Sequence, residues 1–321
     1  MRMKLWLDTD PGVDDALALA LILARPEFEL LGVSTVFGNA SVEQTTANAL
    51  RLLTLFGRPE LPVHAGAARP LVGEPRFAAA VHGNDGMSGC TAQLPEPAGA
   101  AHPVSAVEAL LAASHAHAGA LHLVAVGPFT NLALALRQDP SLPQRVASLT
   151  LMGAAFGGHG YTGNVTPCAE ANVHNDPRAA AEVLAAPWAR CRVIGLDATQ
   201  RTRIPIHRLA PLAEGNATQR LLWAASQPYA GYYATRDGEN ALVAHDATAV
   251  AALLAPEAFT WRTGPIRVVE GGLAHGQTVQ DWQHLASATD SEWQGLPPHA
   301  VATDTDAETL TLLCLQAWQS C

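Results

Sequence analysis

Short apolar runs rich in β-branched residues alternate with longer stretches of helical periodicity through the first two thirds of the chain, and few folds survive that constraint. Strands are predicted at Lys4 to Leu7, Leu30 to Phe37, Pro62 to His64, Leu121 to Val126, Ser148 to Met152 and Cys191 to Leu196. Helices are predicted at Val13 to Ala24, Val42 to Phe56, Val104 to Ala116 and Arg178 to Ala185. A strand returning parallel to its predecessor through a helix gives an α/β fold. The expectation is an open, mostly parallel central sheet with helices on both faces and a site at the C-terminal edge of the strands. The last third reads as mostly helical, with a strand at Ile266 to Val269. No repeat, low-complexity tract or linker divides residues 1–321, so a single domain is expected. Residues 66–103 are rich in Gly, Pro and Ala without periodicity, and so long an irregular stretch inside a compact domain is functional or disordered.

Composition narrows the partners. A net charge of −10 with no basic cluster argues against nucleic acid or an anionic membrane. The five scattered cysteines form no CxxC pair, which speaks against a disulfide framework or a zinc ribbon. Neither a secretory signal nor an apolar run of membrane-spanning length is visible, so a cytoplasmic protein is expected. Lys4 is the only lysine. Its position removes a Walker phosphate loop and a lysine Schiff base.

The densest chemistry lies in LWLDTDPGVDDALALALILA, where Asp8, Asp10, Asp14 and Asp15 follow one another within eight residues. A strand ends at Leu7, Pro11-Gly12 turns the chain and a helix starts near Val13. Asp14 and Asp15 would complement the helix dipole, which accounts for one or two acids but not four. Like charges this close raise one another's pKa unless something positive sits among them. No arginine is near, and Lys4 precedes the cluster on the strand. A hard cation held by oxygen ligands, Ca²⁺ or Mg²⁺, is the economical solution.

Other polar segments fall at the same predicted edge. The second strand runs into Phe37-Gly38-Asn39, the Leu121 to Val126 strand into Gly127-Pro128-Phe129-Thr130-Asn131, and the strand ending at Met152 into Gly153-Ala154-Ala155. In GNVTPCAEANVHNDP, residues 163–177, Asn164, Glu170 and Asn172 sit in a stretch too short and irregular for a surface helix. They are either ligand groups or solvated loop residues. Asp176 reads only as the N-cap of the next helix. His245-Asp246 opens the apolar helix Ala247 to Leu254. Asp246 gains meaning as a fifth carboxylate only beside the first cluster.

At this point the chain resembles a known family, the inosine-uridine preferring nucleoside hydrolases. DTDPGVDDA, VFGN at 36–39, VGPFTN at 126–131, LMGAAF at 151–156, GNVTPCAEANVHNDPRAA at 163–180 and HDATAV at 245–250 match it in order, spanning residues 5 to 250. The resemblance implies hydrolysis of the N-glycosidic bond of ribonucleosides to free base and ribose. It implies Ca²⁺ held by Asp10, Asp15, Asp246 and the carbonyl of Val126, with Asp8 outside the ligand set. Asp10 would be the general base, and His245 would assist departure of the base. Asp14, Asn39, Met152, Asn164, Glu170 and Asn172 would line or hydrogen-bond the ribose. A homodimer or homotetramer is implied as well. The chemistry is coherent, because the cation-like ribose of the transition state is stabilised by surrounding carboxylates and oriented amides. One departure is Ala171, where the family usually carries an aromatic between the Glu and the Asn, so a wall beside the ribose is missing.

Tyr229 and Tyr233 precede His245 in PYAGYYATRDGENALVAH and share one helical face. A helix ending near Arg236 would aim that face at the pocket mouth. Their spacing to His245 resembles the broad-specificity members, which implies acceptance of purine and pyrimidine ribonucleosides alike. Two rival readings remain. A haloacid-dehalogenase-like phosphatase would share the DTD after a strand but needs a downstream lysine. A non-catalytic Ca²⁺- or ribose-binding protein on the same scaffold would be expected to have lost Asp10 or the sugar-binding amides.

Overall fold

The computed structural model describes residues 2–286 and 290–321. Twelve strands are present among them: β1 (Met3–Thr9), β2 (Phe28–Thr35), β3 (Val63–Ala65), β4 (Leu121–Ala125), β5 (Val146–Met152), β6 (Cys191–Ile194), β7 (Arg203–Pro205), β8 (Ala241–Val243), β9 (Phe259–Gly264), β10 (Ile266–Val268), β11 (Thr278–Gln280) and β12 (His299–Thr305). Eight form one sheet in the order β3-β2-β1-β4-β5-β6-β12-β9. Every pairing in it is parallel except that of β9 with β12. The interior strands are apolar on both faces, as helices on both sides of a parallel sheet require. Leu5, Leu7, Val33, Leu123, Val124, Leu149 and Leu151 are all buried.

The Val13–Ala24 helix is buried along Val13 to Ile22. It carries no polar stripe because the helices at His245–Leu254 and Ala307–Ser320 pack around it. The C-terminal helix is fastened there by the Trp318 indole, which donates to the Leu17 carbonyl at 2.9 Å. Among the described residues no helix is long and apolar enough to cross a membrane.

The single α/β domain with its mostly parallel sheet is as expected, and the first six strands fall where the apolar runs place them. The last third differs. Besides the helices Ala217–Asp237, His245–Leu254 and Ala307–Ser320, it contributes β12 and the antiparallel edge strand β9 to the main sheet. The expected strand at Ile266 exists, but it pairs with β11 in a separate two-stranded ribbon. Residues 66–103 carry a short helix at Ala79–His82 and a 3₁₀ turn at Thr91–Gln93.

Candidate active site

The carboxyl ends of β1, β2, β4 and β5 deliver Asp10, Asn39, Val126 and Met152 to one edge of the sheet. The pocket there has a volume of about 280 Å³, near the lower end for small-molecule sites. Its lining includes Asp14, Asn39, Val126, Met152, Asn164, Glu170, Asn172, Tyr229, Tyr233, His245 and Asp246. Asp10 and Asp15 lie buried directly against it. Asp15 shares with Asp14 and Asp246 a set of carboxylate oxygens all within 4.8 Å of one another.

Local folding accounts for the crowding. Asp15 sits in the first turn of its helix and accepts from the backbone N–H groups of Gly12 (2.9 Å) and Asp10 (3.2 Å) and from the Thr9 hydroxyl. Of these, the Gly12 N–H at the N-cap is a donor that a helix N-terminus leaves unmatched. Asp10 Oδ2 accepts from the Asn39 N–H at 2.7 Å. Asp8 points elsewhere, taking the Ser34 hydroxyl and, at 2.8 Å, the Asn131 amide. Its Oδ1 has no hydrogen-bond partner among the described residues. Burial pushes the Asp8 carboxyl up to about 6 against those two hydrogen bonds.

Asp10, Asp14, Asp15 and Asp246 are each at most 5% exposed. Burial first, and then mutual repulsion, raises Asp10, Asp14 and Asp246 well above the ordinary carboxylate range. Among the described residues no lysine or arginine pairs with them. The His82 ring, with Nδ1 3.9 Å from Asp14 Oδ1, is held neutral by burial with its pKa near 3. Four buried carboxylates without a protein cation fit a hard divalent ion through an all-oxygen donor set. The family is metal-dependent, and among the described residues the carboxylates close enough to share an ion are those of Asp14, Asp15 and Asp246, with Asp10 outside that set.

The amides keep part of their capacity for a ligand. Asn39 Nδ2 donates to Asp15 Oδ2 (2.9 Å) and the Asp10 carbonyl (3.1 Å), leaving Oδ1. Asn172 Nδ2 donates to the carbonyls of Val126 (2.7 Å) and Met152 (3.1 Å), again leaving Oδ1. Asn164 Oδ1 accepts from Ala171 N–H, leaving its amide protons. Glu170 takes the N–H groups of Ala154, Asn172 and Val173. Burial nevertheless pushes it up to about 7. It caps a one-turn helix, Ala171–Asn175, in a stretch expected to be irregular. Asp176 does more than cap, since it also receives the Thr130 hydroxyl (2.7 Å) and the Leu71 N–H (2.8 Å).

Opposite in chemistry is the wall built by the Ala217–Asp237 helix. Tyr229 and Tyr233 are buried there with ring centroids 5.2 Å apart. The Tyr233 hydroxyl lies 2.8 Å from His245 Nε2, and His245 Nδ1 lies 2.8 Å from the Thr199 hydroxyl. Burial, and then the charge of Arg236, holds His245 neutral with its pKa near 3. His82, Tyr232, Arg236 and Phe77 also line the pocket. None of the four is a site residue in the sequence reading. His82 accepts the Val13 N–H at 3.2 Å and packs its ring 5.4 Å from Tyr229. The only signal for it was the length of the 66–103 stretch that carries it.

Comparison with known proteins agrees with this geometry. The model of the family described as inosine-uridine preferring nucleoside hydrolase matches residues 5–311. Uridine nucleosidase 1 of Arabidopsis thaliana is 35% identical over 307 residues, covering 95% of this chain and 90% of its own. The non-specific ribonucleoside hydrolase RihC of Escherichia coli is 40% identical over 282 residues, 88% of this chain and 89% of its own. Among solved structures, the plant nucleoside hydrolase PpNRh1 superposes with a TM-score of 0.92 at 32% identity, covering 99% of both chains. A purine-preferring ribonucleoside hydrolase from Gardnerella vaginalis gives 0.89 at 28% identity, covering 98% of both. The chain belongs to the nucleoside hydrolase family and is an N-glycosyl hydrolase.

Proposed function

We propose that this pocket hydrolyses the N-glycosidic bond of purine and pyrimidine ribonucleosides, releasing free base and ribose. One observation carries the reading: buried, mutually repelling carboxylates form one end of a pocket whose other end is aromatic. A ribose with a developing positive charge suits the first end, and a planar base suits the second. Ca²⁺ is the proposed ion, with Asp10, Asp15, Asp246 and the Val126 carbonyl as its protein ligands and Asp8 outside them. When bound, it would supply positive charge that lowers the pKa of a water and attracts the sugar's hydroxyls.

The chain's own groups do the rest. Asp10 takes a proton from the attacking water. Asp14, Asn39 Oδ1 and Asn172 Oδ1 accept from ribose hydroxyls, while Asn164 donates and Met152 and Glu170 close the wall behind them. Tyr233 and His245 pass a proton to the departing base. The same reading, resting on the family resemblance, makes the protein a cytoplasmic homodimer or homotetramer.

The test is direct. Ca²⁺-loaded protein is incubated with inosine, uridine and their 2′-deoxy forms, and free ribose or deoxyribose is measured. Release from both ribonucleosides with poor release from the deoxy forms is expected. No ribose from either ribonucleoside would leave a binding protein as the better description.

A further inference from the structure

Resting on the hydrolase reading, we propose that Arg236 recognises the carbonyl oxygen of the leaving nucleobase and makes the enzyme prefer oxo-bases. Arg236 lies one helical turn beyond Tyr233 and lines the same pocket. Its stem is fixed from two sides. The guanidinium carbon sits 5.6 Å from the centre of the Tyr233 ring, and Nε pairs with Asp237 Oδ1 at 3.0 Å. Asp237 is itself held by Arg203. Nη1 and Nη2 form no hydrogen bond among the described residues, so two donor groups remain at the pocket wall on an anchored, partly exposed side chain. Arg236 is the only lysine or arginine among the lining residues.

The polarity of the pocket then orients the substrate. Ribose hydroxyls belong with the carboxylates and the half-used amides, which leaves the ring-lined wall and its guanidinium to the base. In the reaction the water oxygen bonds to C1′ and the C1′–N bond breaks with its electron pair moving onto the base. One water proton passes to Asp10, and the base takes up one proton. Before that proton arrives, conjugation puts the new negative charge on any carbonyl oxygen of the base. A planar guanidinium aimed at that oxygen forms a hydrogen bond that strengthens as the bond breaks. An exocyclic amino group in the same place would meet donor with donor and be disfavoured.

A simpler reading confines Arg236 to stacking on Tyr233, and a pair of substrates separates the two. Inosine and purine riboside carry the same bicyclic base with and without the 6-oxo group. Arg236→Ala should lower kcat/KM roughly ten- to hundredfold on inosine but by no more than about threefold on purine riboside, with Arg236→Lys intermediate on inosine. Unchanged melting temperatures would confirm an intact fold. Equal losses on the two substrates, or none on inosine, would overturn the proposal. A wild-type protein that releases ribose from neither would instead sink the hydrolase reading. Calorimetric titration with free hypoxanthine and free purine then decides the recognition claim, because Arg236→Ala should weaken hypoxanthine alone. Equal weakening, or no change, would end it.

Discussion

Asp10 has almost no room to move. A Cβ added at Gly127 would lie 2.6 Å from Asp10 Oδ1 and 2.8 Å from a Val36 methyl, and one added at Gly38 would overlap Oδ2. Two glycines and the Asn39 N–H therefore fix both oxygens of the proposed base. Gly127→Ala should displace the carboxylate and reduce kcat by roughly a hundredfold, since misplacement of about an ångström is that costly. Its melting temperature should fall as well, because the added methyl also meets Val36, and steady-state kinetics with thermal melts would check both halves. Asp10→Asn should cost about two to four orders of magnitude in kcat while nucleoside still binds, because the amide cannot take a proton. A loss confined to affinity would move the base elsewhere, with Asp14 next. The four aspartates were legible in the sequence because adjacency alone makes them anomalous. The duty of Gly127 was not, since a Gly-Pro turn looks the same whether or not a carboxylate faces it. His82 was equally silent, being a lone histidine in an Ala- and Gly-rich stretch.

At the scale of elements, the 66–103 segment is tied to the acidic turn by the buried Asn48 amide as well as by His82. Asn48 Nδ2 donates to the carbonyls of Pro11 (3.0 Å) and Asp85 (2.9 Å), and its Oδ1 accepts from Gln44. Asp85 organises its own turn by receiving the N–H groups of Met87, Gly89 and Thr91 and the Thr91 hydroxyl. Asn48→Ala would leave two carbonyls without their donor, at a cost of about 1–3 kcal/mol. It should also speed proteolytic cleavage within 66–103, measured as a rate against wild type; an unchanged rate would show that the segment holds without this tie. The segment's irregularity was evident from sequence, but its packing was not, because the ties come from residues far away in the chain. β9 and β12 were hidden for a different reason. Phe259–Gly264 and His299–Thr305 carry polar residues at half-exposed positions, so neither shows the apolar run that announced the interior strands. β9 lies at the sheet's edge and β12 between it and β6, and tertiary pairing is what makes them strands.

For the whole molecule, the parallel architecture and the site's edge followed from alternation of elements, and the consequence that remains is thermodynamic. Asp10, Asp14 and Asp246 have folded-state pKa values above their ordinary 3.8, from burial first and like charge second. Glu170, pushed up to about 7, shifts in the same direction. A carboxyl raised by folding favours the folded state below its unfolded pKa, and that contribution is lost as pH rises through the folded value. In the metal-free protein these groups therefore weaken the fold progressively above pH 4. A bound divalent ion needs the same carboxylates deprotonated, so its affinity rises over the interval in which protons leave. Buried His82 and His245, neutral with or without the ion, favour higher pH in both forms alike. The informative quantity is thus the difference in melting temperature between Ca²⁺-loaded and chelated protein. At calcium a hundredfold above Kd the stabilisation is about 2.7 kcal/mol. As Kd falls with rising pH at fixed calcium, the gap should widen from pH 5 to pH 8 by several degrees. Differential scanning fluorimetry at fixed ionic strength measures it, with activity lost on chelation and restored by Ca²⁺. A gap independent of pH, or one that narrows, would mean that the buried aspartates are not the ligands.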